Sequence, residues 1–201
     1  MKKIHSGLII FLLISLPVLA CGWGRSRAVI PTPTIAPTPT PLPQPPRGQI
    51  TPQPTESQRA KQNFNQALQE TGPDHAFQFR ITSEEITSLA AIELRKQADI
   101  PVSEPQIWFT NGKIYLAGKV EGVGPSPVPA LIVATPVING NDQLQIQIEE
   151  AKMGNFKLPK AMVENLTKTI NDTLADTPLE IEIEAVSVLE GELVITGRRT
   201  E

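Results

Sequence analysis

Along residues 104–120 apolar and polar side chains alternate with a period of two, which is the pattern of half-buried β-strands. The dipeptide Asn111-Gly112 interrupts this alternation and is a strong signal for a two-residue hairpin turn. Trp108 and Tyr115 then pair on one face, where they are interpreted as side chains packed beneath a helix, a lipid-interface contact or a ligand platform. The same turn places four apolar side chains on the opposite face: Ile107, Phe109, Ile114 and Leu116.

Two further hairpins are predicted, around residues 139–142 and around Glu190-Gly191. The strand before the first of these turns, residues 130–138, is apolar on both faces, so it is expected to be central in a sheet or covered by a helix. In the last hairpin the alternation changes phase near Ala185, which predicts a β-bulge. The strand after residue 142 has a single apolar face, made of Leu144, Ile146 and Ile148.

Three helices are predicted from apolar positions that recur every three or four residues. Thr55 with Gln58 and Thr82 with Glu85 form capping boxes that begin the first two helices. Leu158-Pro159 begins the third, because proline is favoured in the first turn of a helix. The expected buried stripe of this third helix is Met162, Val163, Leu166, Ile170 and Leu174.

Antiparallel hairpins with separate helices predict the α+β class for residues 55–201. We expect a curved antiparallel meander packed on two long amphipathic helices. The helix over residues 55–72 has a thin apolar stripe and is expected to be peripheral.

The first twenty residues have the organisation of a bacterial export signal. Two lysines precede an apolar run at residues 8–18, which is shorter than the roughly 20 residues of a membrane span. Val18-Leu19-Ala20-Cys21 resembles the lipobox of bacterial lipoproteins, although a small residue is usual where Leu19 stands. The resemblance implies removal of residues 1–20 and acylation of Cys21, the single cysteine of the chain. The alternatives are a secreted protein with a free thiol and an uncleaved N-terminal anchor.

A proline-rich segment follows, and residues 21–54 are predicted to form a tether. Ten prolines occupy residues 31–54, and a chain of this composition favours an extended polyproline conformation over a packed core. At about 3.1 Å per residue this stretch spans roughly 75 Å. We interpret it as a spacer; a docking site for a proline-recognising partner and an O-glycosylated stalk are the alternatives.

The charge distribution argues against nucleic-acid binding. From His75 to the C-terminus the chain has eleven Lys and Arg against eighteen Asp and Glu, a net charge of −7. Phosphate binding requires a basic surface, so no nucleic-acid partner is expected.

The sequence offers little for catalysis or metal binding. His75 is the one histidine after residue 21, and no nucleophile-elbow glycine pattern surrounds any serine, so we predict no catalytic residues and no enzyme. Too few Cys and His side chains are present for zinc, and no metal or cofactor is expected. Glu180, Glu182 and Glu184 alternate along one strand and are interpreted as a solvated face, with calcium binding as the alternative.

From residue 81 onward, the order of elements resembles the LmeA-like phospholipid-binding lipoprotein family, whose members are small relatives of the tubular lipid-binding (TULIP) fold. The YpmS-like envelope proteins share much of the pattern. The matching stretches are residues 81–86, 111–118, 154–159 and 189–197. They consist mostly of turns and the strand residues beside them. The resemblance implies a TULIP-like half-domain, in which a curved sheet wraps around a helix and leaves an apolar groove for acyl chains.

These features predict a lipid-anchored protein of the cell membrane or outer envelope, with its domain outside the cytoplasm. Its membrane partner would be reached through Cys21, and a phospholipid is the expected ligand. The alternative is a structural or partner-binding envelope module with a solid core; the sequence identifies no protein partner. The expected groove lining is Ile107, Phe109, Ile114, Leu116, Leu144, Ile146, Ile148, Leu166 and Ile170.

Overall fold

The computed structural model describes residues 43–69, 73–96, 100–123, 125–140, 143–175 and 181–199. The predicted signal peptide, the acylated Cys21, most of the tether and Glu180 lie outside the described residues. The elements in chain order are α1 (Pro54–Gln69), a short 3₁₀ turn (Pro73–His75), β1 (Ala76–Thr82), α2 (Ser83–Lys96), β2 (Val102–Thr110), β3 (Lys113–Val120), β4 (Val128–Ile138), β5 (Leu144–Met153), β6 (Phe156–Lys157), α3 (Lys160–Ala175), β7 (Ile181–Leu189) and β8 (Glu192–Arg199).

The strands form two antiparallel sheets, and the predicted α+β class is confirmed. The larger sheet is a meander in the order β2-β3-β4-β5-β6, and the smaller sheet has the order β1-β8-β7. The single sheet on two long helices that we expected is replaced, in the described residues, by two sheets and three α-helices. Strand β1 belongs to the smaller sheet and not to the meander, because it pairs along its whole length with β8, for example Phe79 with Ile195.

The predicted hairpin registers are confirmed. Ile107 pairs with Leu116, and Trp108 pairs with Tyr115, across a turn in which Asn111 and Gly112 have φ values of 53° and 73°. These positive values are those of the primed turn that asparagine and glycine favour. In the last hairpin the register shifts between Ile183 and Ala185, where the bulge was predicted.

The main core lies between the two sheets and helices α1 and α2. Phe77, Phe79 and Ile81 of β1 pack with Phe109 and Ile114 of the larger sheet. The capping box of α2 is present: the amide of Glu85 donates to the Thr82 hydroxyl at 3.1 Å, and the amide of Thr82 donates to the Glu85 carboxylate at 2.9 Å. The capping box predicted from the sequence therefore begins α2 in the structure.

The first helix was predicted wrongly, and the buried stripe predicted for the last helix is present only in part, through Val163, Leu166 and Ile170. Helix α1, expected to be peripheral, buries Ser57 and Ala60 and sends Phe64 into the core, where its ring meets Phe79 edge-on at 5.3 Å. Helix α3 has no buried residue, and Met162 at its start is 52% exposed. The apolar stripe of α3 is long in sequence, but only part of it meets the edge of the larger sheet.

Candidate ligand-binding groove

We define two faces of the larger sheet from its register. The inner face includes Ile107, Phe109 and Ile114, which point toward α1, α2 and the smaller sheet, and Ala134 and Ile148, on which α3 packs. The outer face has an apolar cluster of four side chains: Trp108, Tyr115, Leu131 and Val133.

The outer face is covered by the chain that precedes α1. Ile50 packs on the outer-face cluster, and its backbone is held by Gln106, whose side chain accepts from the Ile50 amide at 2.8 Å and donates to the Ile50 carbonyl at 2.9 Å. Trp108 is 2% exposed and stacks on Tyr115 with ring centroids 5.1 Å apart. The aromatic pair therefore packs beneath an extended segment rather than beneath a helix, and the end of the predicted tether belongs to the folded unit.

An open groove of about 980 Å³ lies between the larger sheet and α3, with Pro43 among its lining residues. This volume is within the roughly 300–1,000 Å³ that is usual for ligand pockets. The apolar lining comes from the outer face, from β5 and from the start of α3, and consists of Tyr115, Leu131, Val133, Ile148, Ala151, Leu158 and Val163.

A bulge in β5 shapes the groove. Val133 pairs with Glu150 and Ala134 pairs with Ile148, so Glu149 is an extra residue that is not paired with any residue of β4 in the strand register. Bulges bend a strand and increase its twist. Beyond the bulge, β6 contributes only the pairs Lys152–Lys157 and Met153–Phe156, which leaves most of the β5 edge open to α3.

Charged side chains surround the apolar lining. Four lysines (Lys113, Lys157, Lys160 and Lys168) and three glutamates (Glu149, Glu150 and Glu164) border the groove. A hydrogen bond from Lys113 and a second from Thr135 lower the pKa of Glu149, and contact with Lys152 lowers the pKa of Glu150. These two carboxylates are therefore ionised and already paired with lysines.

Two of the groove lysines are less firmly engaged. Lys157 and Lys160 are 76% and 90% exposed, and each is 3.5 Å from its glutamate partner. Exposed ion pairs of this kind contribute little to stability. Both ammonium groups are therefore accessible to an anionic ligand at the groove.

The structure divides the nine predicted groove residues between two places. Phe109 and Ile114 are buried in the main core, and Ile107, Leu116 and Ile146 pack against it. Leu166 and Ile170 of α3 pack with Ile148, and Leu144 pairs with Ile138 at the end of β5. Ile148 lines the groove, and Phe109 borders a smaller cavity of about 130 Å³ beside Trp108. The space expected between Phe109 and the helices is occupied by phenylalanine rings.

Sequence reasoning missed Leu131, Val133 and the lysines of the groove. A signal was present, because β4 is apolar on both faces and its second apolar face needed a cover. In the structure, the segment before α1 covers part of this face, and the groove lies over another part. The lysines follow no periodic pattern and come together only through the fold.

The described residues contain no group of three or more His, Cys, Asp or Glu side chains arranged to hold a metal ion. In the same part of the chain, no helix has the length and apolar character required to cross a membrane. Asp74 and His75 lie in the 3₁₀ turn before β1, with φ values of 62° and 58°.

Comparison with protein-family models, curated proteins and solved structures finds no match to this chain.

Proposed function

We propose that this protein is a membrane-anchored extracytoplasmic lipoprotein that binds a lipid or similar amphipathic ligand in the groove between the larger sheet and α3. The resemblance to the LmeA-like family and its TULIP-like half-domain is part of this proposal. The observation that supports it most directly is the combination, in one lining, of apolar side chains with exposed lysines. An acyl chain matches the lining, and an anionic headgroup matches Lys157 and Lys160.

The groove adjoins two buried clusters that lie outside the main core. Leu131 and Val133 are 1% and 7% exposed and belong to the outer-face cluster, whereas Val163 on α3 is half-buried and packs against Ala134, Ile148 and Ala151. Because α3 has no buried residue, a bound apolar chain would add contacts that α3 lacks. Ligand binding is therefore expected to stabilise α3 without disturbing the main core.

Filling the groove tests the proposal. Val163→Trp places an indole against the apolar lining, whereas Asn165→Trp adds the same group to an exposed position of α3 outside the groove. Native mass spectrometry of the full chain, extracted from membranes, should show bound lipid for the wild type and Asn165→Trp. The Val163→Trp chain should lose that lipid. Because Val163 also packs against Ala134, Ile148 and Ala151, the melting temperature is measured alongside, to separate loss of lipid from loss of α3 packing. Equal lipid content in all three chains, or none in any, would count against the groove.

The anchor has a separate test. The intact mass of the mature chain should correspond to a polypeptide that begins at Cys21 and carries acyl groups, and Cys21→Ser should abolish the added mass and release the protein from the membrane fraction. An unmodified Cys21 in membrane-bound protein would contradict acylation.

The filled core favours one alternative, a structural or partner-binding envelope module. The predicted inner-face residues Phe109 and Ile114 are each at most 9% exposed and serve packing rather than ligand binding. A module of this kind would keep its envelope function in the Val163→Trp chain. The same variant therefore separates the two proposals when its cellular phenotype is compared with that of Asn165→Trp.

A further inference from the structure

The turn from β6 into α3 exposes two large apolar side chains close together in sequence. Phe156 is 79% exposed and Met162 is 52% exposed. Isolated exposed apolar side chains are common, but these two lie in one short segment, residues 156–162. We call this segment the β6–α3 patch.

The charge around the patch differs from that of the rest of the domain. Residues 151–163 contain three lysines and are flanked by Glu150 and Glu164, a net charge of +1 over residues 150–164, whereas the chain from His75 to the C-terminus has a net charge of −7. The two lysines within the patch, Lys157 and Lys160, are the most exposed partners in their ion pairs. An anionic surface would attract this patch and repel much of the remaining domain.

The patch also adjoins the groove. Lys157, Leu158 and Lys160 are among its lining residues, while Phe156 and Met162 are exposed and are not. The apolar lining and the exposed apolar side chains therefore alternate along the same stretch of chain. Phe156 and Met162 are each adjacent in sequence to a residue that lines the groove, Lys157 and Val163 respectively.

We propose that the β6–α3 patch docks on an anionic bilayer, with Phe156 and Met162 entering the interface and Lys157 and Lys160 binding lipid phosphates. Aromatic and aliphatic side chains flanked by lysine are typical of interfacial membrane contacts. A protein partner is a poorer match because lysine is depleted from protein–protein interfaces. The proposal stands on the patch itself and does not require an occupied groove.

Depth-sensitive fluorescence in the full chain tests the docking. Phe156→Trp places a reporter in the patch, and Leu189→Trp is the matched control, since Leu189 is 46% exposed and adjoins the acidic Glu190 at another hairpin tip. Each chain is reconstituted in vesicles of phosphatidylcholine and phosphatidylglycerol with brominated acyl chains, and the emission of wild-type Trp23 and Trp108 is subtracted. Phe156→Trp should show a blue shift and loss of emission by quenching, whereas Leu189→Trp should show neither.

Charge reversal gives the second arm. Adding Lys157→Glu and Lys160→Glu to the Phe156→Trp chain should abolish the quenching, as should vesicles of phosphatidylcholine alone or high salt. Equal quenching of the two reporters, no quenching of either, or quenching that is indifferent to both lysines and lipid charge would overturn the proposal. Because lipid retention in the groove is measured on extracted protein, failure of the groove leaves these results unchanged.

Discussion

The free edge of β2 is completed by hydroxyl groups of α2. The Thr87 side chain is fully buried; it accepts from the amide of Ile107 at 2.9 Å and donates to the carbonyl of the same residue at 2.8 Å. One turn earlier, Ser83 accepts from the amide of Phe109 at 3.2 Å. Four helical residues rise about 6 Å and two strand residues about 6.6 Å, so hydroxyls four residues apart match alternate strand positions. These contacts also protect the edge from pairing with another chain.

Removing the Thr87 hydroxyl should therefore be costly. Thr87→Val keeps the shape of the side chain but leaves the amide and carbonyl of Ile107 without their partner, and each buried unsatisfied group costs about 1–3 kcal/mol. Urea denaturation should show a lower free energy of unfolding with an unchanged m-value. Thr169→Val removes an exposed hydroxyl that bonds to its own helix, and a change within about 0.5 kcal/mol is expected for this control. Equal midpoints for the two variants would contradict the role of Thr87.

A second residue-scale contact depends on ionisation. The carboxylate of Glu190 accepts from the amide of Asn111 at 3.0 Å and from the Thr110 hydroxyl at 2.7 Å, and these hydrogen bonds lower its pKa below the usual 4.5. Since the folded-state pKa is depressed, its contribution to stability is present above the unfolded-state pKa and is lost as pH falls through the folded-state value.

Glu190→Gln should consequently lower the melting temperature at neutral pH and have a diminishing effect as the solution is acidified below about pH 4. The measurement is the difference in melting temperature between wild type and variant across the pH range. Glu182→Gln, at an exposed position of β7, is the control for removal of a surface carboxylate. A Glu190→Gln effect that is constant with pH would mean that the charge is irrelevant.

At the scale of elements, α3 is held by few contacts. Its apolar side chains meet Ala134, Ile148 and Ala151 along one line, and Asn171 joins it to the β5 edge by accepting from the amide of Ile146 at 2.7 Å and donating to its carbonyl at 3.0 Å. Helix α2, by contrast, buries five residues. We infer that α3 opens locally before the rest of the domain unfolds.

Asn171→Ala should make α3 open more readily. Loss of two hydrogen bonds is expected to lower the opening free energy of α3 by roughly 1–3 kcal/mol, while α2 is unaffected. Amide hydrogen exchange resolved along the chain measures both helices at once. Asn165→Ala, at an exposed position of α3, serves as the control. Uniform loss of protection in α2 and α3 would show that α3 belongs to the main cooperative unit.

The elements that sequence predicted well are those specified by local chemistry. Asn111-Gly112 fixes the first hairpin because its turn requires positive φ, and the phase change near Ala185 locates the bulge because alternation depends on the register. Which helices are buried, and where the groove lies, depend on contacts between residues that are distant in sequence. Thr87 bonds to Ile107 and Asn171 bonds to Ile146, but no periodic pattern relates these pairs. The apolar stripe of α3 likewise predicted a buried helix. The sequence does not show that only a narrow part of the larger sheet contacts this helix.

At the scale of the whole molecule, the segment from Pro43 to α1 joins the predicted tether to the sheet. Gln106 binds the backbone of Ile50, and Ser88 accepts from the amide of Gln53 at 3.0 Å. Pro43, at the start of the described chain, lines the groove. The predicted tether therefore ends in a segment that is bound to the sheet, with Ile50 packed on the cluster around Trp108.

Releasing the segment is the corresponding prediction. Gln106→Ala removes both hydrogen bonds to Ile50, which net about 0.5–1.5 kcal/mol each, so residues 43–53 should detach more often. Trypsin cleavage after Arg47 measures the detachment, because a protease needs several residues of free chain around its site. Gln145→Ala on β5 removes the same amide group elsewhere and should leave the cleavage rate unchanged. Faster cleavage together with stronger Trp108 quenching by acrylamide is expected for Gln106→Ala alone. If cleavage after Arg47 is equally rapid in the wild type, the segment is not held by Gln106, and the covered outer face must be stabilised by Ile50 packing instead.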